Sequence, residues 1–196
     1  MLKLIALGGA FLALLGVRLL QPVAELLFAA HMAQHLLLIA IAAPLLVLAG
    51  LEIRMPPLAG WSLFIGIFLF WHWPVFFRWA ARQPFGEFLE LGSILAAACC
   101  FWSGVLTPGR LNDGARALMV MTAAILTDLP GVVMLFSPVA LCTMPAENAA
   151  RFGLTPLSDQ QLAGLLMWVP ANLVFFAVAI FLFARWIGVH HRAVTP

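Results

Sequence analysis

His31, Met32 and His35 lie inside an apolar run, 27–51 (LFAAHMAQHLLLIAIAAPLLVLAGL), that is long enough to cross a bilayer. On a helix, His31 and His35 fall on one face, one turn apart. Neutral imidazole suits copper, zinc and iron, and thioether selects copper in its reduced state. Imidazoles in a hydrocarbon-length segment are costly to place without partners, so the question is what else reaches that face. His72, in another apolar run, completes a candidate copper set of His31, His35 and His72, with Met32 or Met134 beside it. Two carboxylates within apolar runs are expected to support the rings through their free nitrogens: Asp128 on His35, and Glu90 on His31 or His72. Glu90 is also open to a direct place in a mixed ligand set. Asp128, followed at once by Pro130 and Gly131, is a functional-site candidate by its position alone. Histidines on facing helices can instead ligate haem b axially, with His35 and His72 as the pair. A plainer reading stands beside both: intramembrane histidines hydrogen-bond across helices, and methionines fill gaps between them.

Composition decides the class of protein. Of 196 residues, 64% are hydrophobic and 9% charged, with a mean hydropathy of +1.07. A soluble domain would carry about a quarter charged residues, so residues 1–196 read as a single integral-membrane domain. The net charge of +2 supplies no basic face for nucleic acid. A serine nucleophile elbow, an HExxH pair and a phosphate-cradling glycine loop are all lacking, and the short loops leave no room for an active-site domain, so the expectation is a protein that is not an enzyme. Cys99, Cys100 and Cys142 form no CxxC pair and read as buried thiols. Lys3 gives only a minimal basic region for a cleavable leader, with no A-x-A-like site ahead of a soluble domain.

The elements that must position these residues are six apolar spans, at 2–20, 23–50, 58–80, 85–106, 115–139 and 162–187. The predicted fold is an all-α membrane bundle of about six transmembrane helices, punctuated by prolines at 22, 56, 57, 84, 108 and 156. With both termini cytoplasmic, Lys3, Arg54, Arg110, Arg116, Arg185 and Arg192 lie inside and Arg18, Arg78, Arg82 and Arg151 outside, a bias of six to four. At about 1.5 Å per residue, His31 lies about 10 Å below the outer end of its helix and His35 about 6 Å deeper. On the same scale His72 is about 12 Å deep, Glu90 and Met134 about 9 Å, and Asp128 is near the midplane. Asp159 marks the mouth of the last span, with Met167 and Trp168 about one to two turns further in. Nearly all the unusual side chains therefore converge on the outer half of the bundle.

Three stretches, AHMAQHLLL, WHWP and LSDQQLAGLLMWVP, carry a resemblance to a known family. Over about residues 24–186 the chain resembles the multi-spanning CtaG-type cytochrome c oxidase assembly factors of caa-type oxidases. That resemblance implies a role in maturing a haem-copper oxidase, with copper handled on the outer side of a bacterial inner membrane. It carries over to His31, Met32, His35, His72, Asp159, Met167 and Trp168; Asp159, Met167 and Trp168 join Glu90, Asp128 and Met134, which the residue chemistry itself singles out, as supporting residues. The partners it implies are the lipid bilayer, oxidase subunits or a copper chaperone, and other copies of the chain. After the third span the family reads like P-x-x-H-x-x-E-H. Here the corresponding residues are Pro84, Glu87, Glu90 and Leu91, so Glu90 is kept while Glu87 and Leu91 replace two histidines. On the same resemblance the chain is short at its N-terminus, by a span that longer relatives carry.

Overall fold

The computed structural model describes residues 1–142 and 144–194, with side chains undescribed from 189 onward, so the side chain of Arg192 lies outside the described residues. Among the described residues every regular element is helical. Helix α1 spans Leu2–Ala24, α2 Phe28–Leu36, a π-helical stretch Leu37–Ala42, and α3 Ala43–Ala49. Then follow α4 (Pro57–Trp71), α5 (Pro74–Ala80), α6 (Pro84–Leu106), α7 (Asp113–Phe136), the short α8 (Ala146–Ala150) and α9 (Pro156–Val194). Among the described residues, five helical segments are long and apolar enough to cross a membrane, or six if the bent pair α4–α5 is one span. The protein is a multi-pass membrane bundle.

Proline chemistry sets the boundaries that apolar runs alone misplace. The span expected over 58–80 breaks at His72: α4 ends at Trp71, and α5 leaves at 77° to it. Trp73 precedes Pro74, whose ring pushes the preceding residue out of the α region, and Trp73 is extended at φ −75°, ψ 128°. His72 is thereby the hinge residue, and not a mid-helix one. The second span begins at Phe28 and not at 23, because α1 continues through Pro22 to Ala24. The last helix starts six residues before the expected 162, at Pro156, which puts Asp159 in its first turn.

The helix that carries the histidines changes pitch just beyond them. Pro44 has no N–H to offer the carbonyl of Ala40 in α register or of Ile39 in π register. The Ile39 carbonyl accepts instead from the buried Trp102 indole on α6, at 2.8 Å. Such π-bulges cluster at functional sites, and this one starts two residues after His35.

Four side-chain contacts bring the same end of the bundle together: Gln21 on α1 with Glu87 on α6, Asp159 on α9 with Phe28 on α2, Gln160 on α9 with Met134 on α7, and Phe77 on α5 with Phe28. Helices α7 and α9 pack closest. A Cβ on Gly164 would come 2.5 Å from the Gly131 carbonyl oxygen and 2.8 Å from the Leu135 nitrogen. Small residues allow this backbone approach in membrane helices.

Candidate metal centre

Helix α2 supplies two imidazoles from adjacent turns, α6 supplies a carboxylate, and the α4–α5 hinge supplies a third imidazole. The rings of His31 and His35 are 4.7 Å apart, and those of His35 and His72 5.3 Å. His31, His35 and Glu90 are 1%, 2% and 0% exposed. The Nε2–H of His31 donates to Glu90 Oε1 at 3.2 Å. His35 Nε2 stands 3.4 Å from the same oxygen, outside hydrogen-bond geometry. One donor atom from each of the three residues lies within 4.8 Å of the others. Around one first-row ion with bonds of about 2.0–2.2 Å, donors stand roughly 3–4 Å apart, so slight contraction would let all three share an ion.

The unsatisfied atoms are as informative as the bonds. Both ring nitrogens of His35, Nε2 of His72 and Oε2 of Glu90 are buried without a hydrogen-bond partner. Unpaired polar atoms in a membrane interior are costly. His72 Nδ1 lies 2.7 Å from the Phe68 carbonyl oxygen, which can only accept. A proton therefore sits on Nδ1, so that in the neutral ring Nε2 is the lone-pair nitrogen, the arrangement in which one ring nitrogen is anchored so that the other can bind a metal. The Phe68 ring stacks on His72 at 4.0 Å and fixes its plane.

Asp159 holds this assembly from the N-terminal end of α2. Leu27 at the N-cap of α2 has no side-chain acceptor, and the Asp159 carboxylate caps the helix from α9, accepting from Phe28 N at 2.9 Å and Ala29 N at 3.0 Å. This satisfies two of the orphan amides at a helix start and sets negative charge at its positive end.

The remaining expectations divide. Asp128 does not hold His35: its Oδ2 accepts from Asn172 Nδ2 at 2.9 Å, which ties α7 to α9 on a half-buried face. Met32 and Met167 are both buried and border one cavity with His35. Met134 borders a separate groove with His72 and Cys142. Trp168 packs edge to face on Phe136. Glu87 is engaged with α1, its Oε1 accepting from Gln21 Nε2 at 2.7 Å.

Two glutamines matter that the sequence reading passed over. Gln34, fully buried between the two histidines in sequence, donates to the Val17 carbonyl and to Gln21 Oε1, clamping α2 to α1. Gln160 accepts from the amides of Leu141 and Cys142 and donates to the carbonyls of Met134 and Val139, so it folds the loop after α7 onto α9. The signal was present in both cases: a long amide side chain inside an otherwise apolar segment.

The family of cytochrome c oxidase caa3 assembly factors (Caa3_CtaG) matches residues 50–188. The chain belongs to that family. The matched segment includes His72, Glu90, Asp159 and Met167 and begins downstream of His31, Met32 and His35. Comparison with curated proteins and with solved structures returns no match.

Proposed function

We propose that this caa3 assembly factor is a non-enzymatic copper carrier of the bacterial inner membrane. In this reading it holds the ion with His31, His35 and Glu90, His72 stands beside them, and the ion is cargo for a haem-copper oxidase. The observation that carries this reading is the buried cluster of one donor atom each from His31, His35 and Glu90 within 4.8 Å of one another, with His35 Nε2 and Glu90 Oε2 left without hydrogen-bond partners. A fully buried carboxylate in a membrane bundle calls for a cation, and imidazole nitrogen is a good copper donor. The chain's own residues do three things: Glu90 supplies negative charge, Asp159 fixes the helix that carries both α2 histidines, and Phe68 orients His72.

Haem b between His35 and His72 has less support. Cofactor pockets run to roughly 300–1,000 Å³, whereas the cavity bordering His35 is about 30 Å³. For orientation, the arginine bias favours cytoplasmic termini, which would put the centre in the outer half, facing the periplasmic side from which a copper chaperone would load it.

The test is metal analysis of the full chain purified without chelator, together with oxidase assembly in cells carrying His35→Ala or Glu90→Gln. The expected result is bound copper in the wild type, its loss in both variants and a fall in assembled oxidase. Copper-free wild type after copper loading would overturn the reading, as would variants with unchanged copper and oxidase.

A further inference from the structure

His35 has two faces of different chemistry. On one side its Nε2 approaches Glu90 and His31. The ring also borders a cavity of about 30 Å³ whose other lining residues include Met32, Met167, Thr127, Phe64 and Phe175. By a comparable measure a water needs only about 10–15 Å³, so the space holds an atom-sized guest. The partners there suit water poorly. Thioether sulfur accepts hydrogen bonds weakly, and the Thr127 hydroxyl is already committed as donor to the carbonyls of Ala123 and Ala124. His35 Nδ1 is buried and has no hydrogen-bond partner. No carboxylate borders this cavity among the described residues.

We infer that the cavity is a second binding station, for a soft monovalent metal ion, formed by the thioethers of Met32 and Met167 together with Nδ1 of His35. This inference rests on the proposed metal-carrying function and adds selectivity to it. Thioether donors favour Cu(I) and similar soft ions, whereas carboxylate with imidazole suits divalent ions. The two nitrogens of one imidazole thus separate ions by softness, one ion at a time, because the neutral ring carries its lone pair on only one of them. The Glu90 side takes the divalent ion and the methionine side the monovalent one.

The experiment uses the full chain in detergent, with Ag(I) as a redox-inert soft probe and Zn(II) as a divalent probe, each titrated calorimetrically. Cys99, Cys100 and Cys142 are replaced by alanine throughout, so that methionine is the remaining source of sulfur. Met32→Leu with Met167→Leu roughly conserves volume, a class of change that cores tolerate well. The double variant is expected to weaken Ag(I) binding by about tenfold or more, a 1.4 kcal/mol effect, with Zn(II) binding unchanged. Glu90→Gln is expected to do the reverse. Zn(II) binding that depends on Glu90, with Ag(I) affinity indifferent to both methionines, would overturn the second station and leave the metal-carrying function standing. Failure of the background chain to take up either ion would overturn both. If the double variant does not fold, X-ray absorption on the background chain loaded with one equivalent of Cu(I) decides. Sulfur neighbours are expected, and nitrogen or oxygen neighbours alone would overturn the station.

Discussion

Asp159 accepts the backbone N–H of Phe28 at 2.9 Å across 131 residues of sequence, so the first turn of α9 caps the helix that carries His31 and His35. Losing such a cap typically costs about 1 kcal/mol, and here the amides left behind are buried. Asp159→Ala is expected to lower the melting temperature in detergent and to weaken metal binding together, while Asp159→Asn, which keeps an acceptor, retains most of both. An alanine variant that melts with the wild type would show that α2 needs no cap.

Gly164 and Gly131 set how closely α7 and α9 approach. Gly164→Ala places a methyl group 2.5 Å from the Gly131 carbonyl oxygen. Overpacking of this kind costs about 1–3 kcal/mol, to be read as a fall in thermal stability. Gly66→Ala, with nothing within 4 Å of its Cβ, is the matched control and is expected to be neutral or slightly stabilising.

Much of the centre is legible from spacing alone. His31 and His35 share a face because four residues make about one turn, and His72 and Glu90 fall at similar depth because each sits a counted distance from a loop. Depth without rotation misleads, however. Asp128 is at a plausible level but points to Asn172, since a residue's azimuth around its helix depends on packing that no periodicity fixes when almost every position is apolar. Pro74 announces the break at His72 in plain sequence, yet an unbroken apolar count runs straight over it. The Asp159 cap is invisible for another reason. It joins residues 131 apart, and a local capping pattern never tests such a pair.

Trp102 is expected to be needed for the π-helical stretch. Trp102→Phe removes the donor to the Ile39 carbonyl and leaves it buried without a partner, a loss of about 1–3 kcal/mol. Unfolding curves in detergent check this, and stability equal to the wild type would mean that water takes the indole's place.

Cys142 lies in the loop after α7, outside the spans, and burial pushes its thiol up to about 11. The thiolate is the reactive form. In a chain with Cys99 and Cys100 replaced by alanine, alkylation of the folded protein is expected to be slow at pH 8 and to rise as pH climbs toward 11. Rapid native alkylation at pH 7 would contradict this environment.

The most direct measurement is the copper content of the purified chain against that of Glu90→Gln. This change keeps the shape of the side chain but removes its charge. The wild type is expected to retain copper through gel filtration and the variant to lose it, with α-helical circular dichroism unchanged. Equal copper in both, or none in the wild type after loading, would contradict a metal centre built on His31, His35 and Glu90.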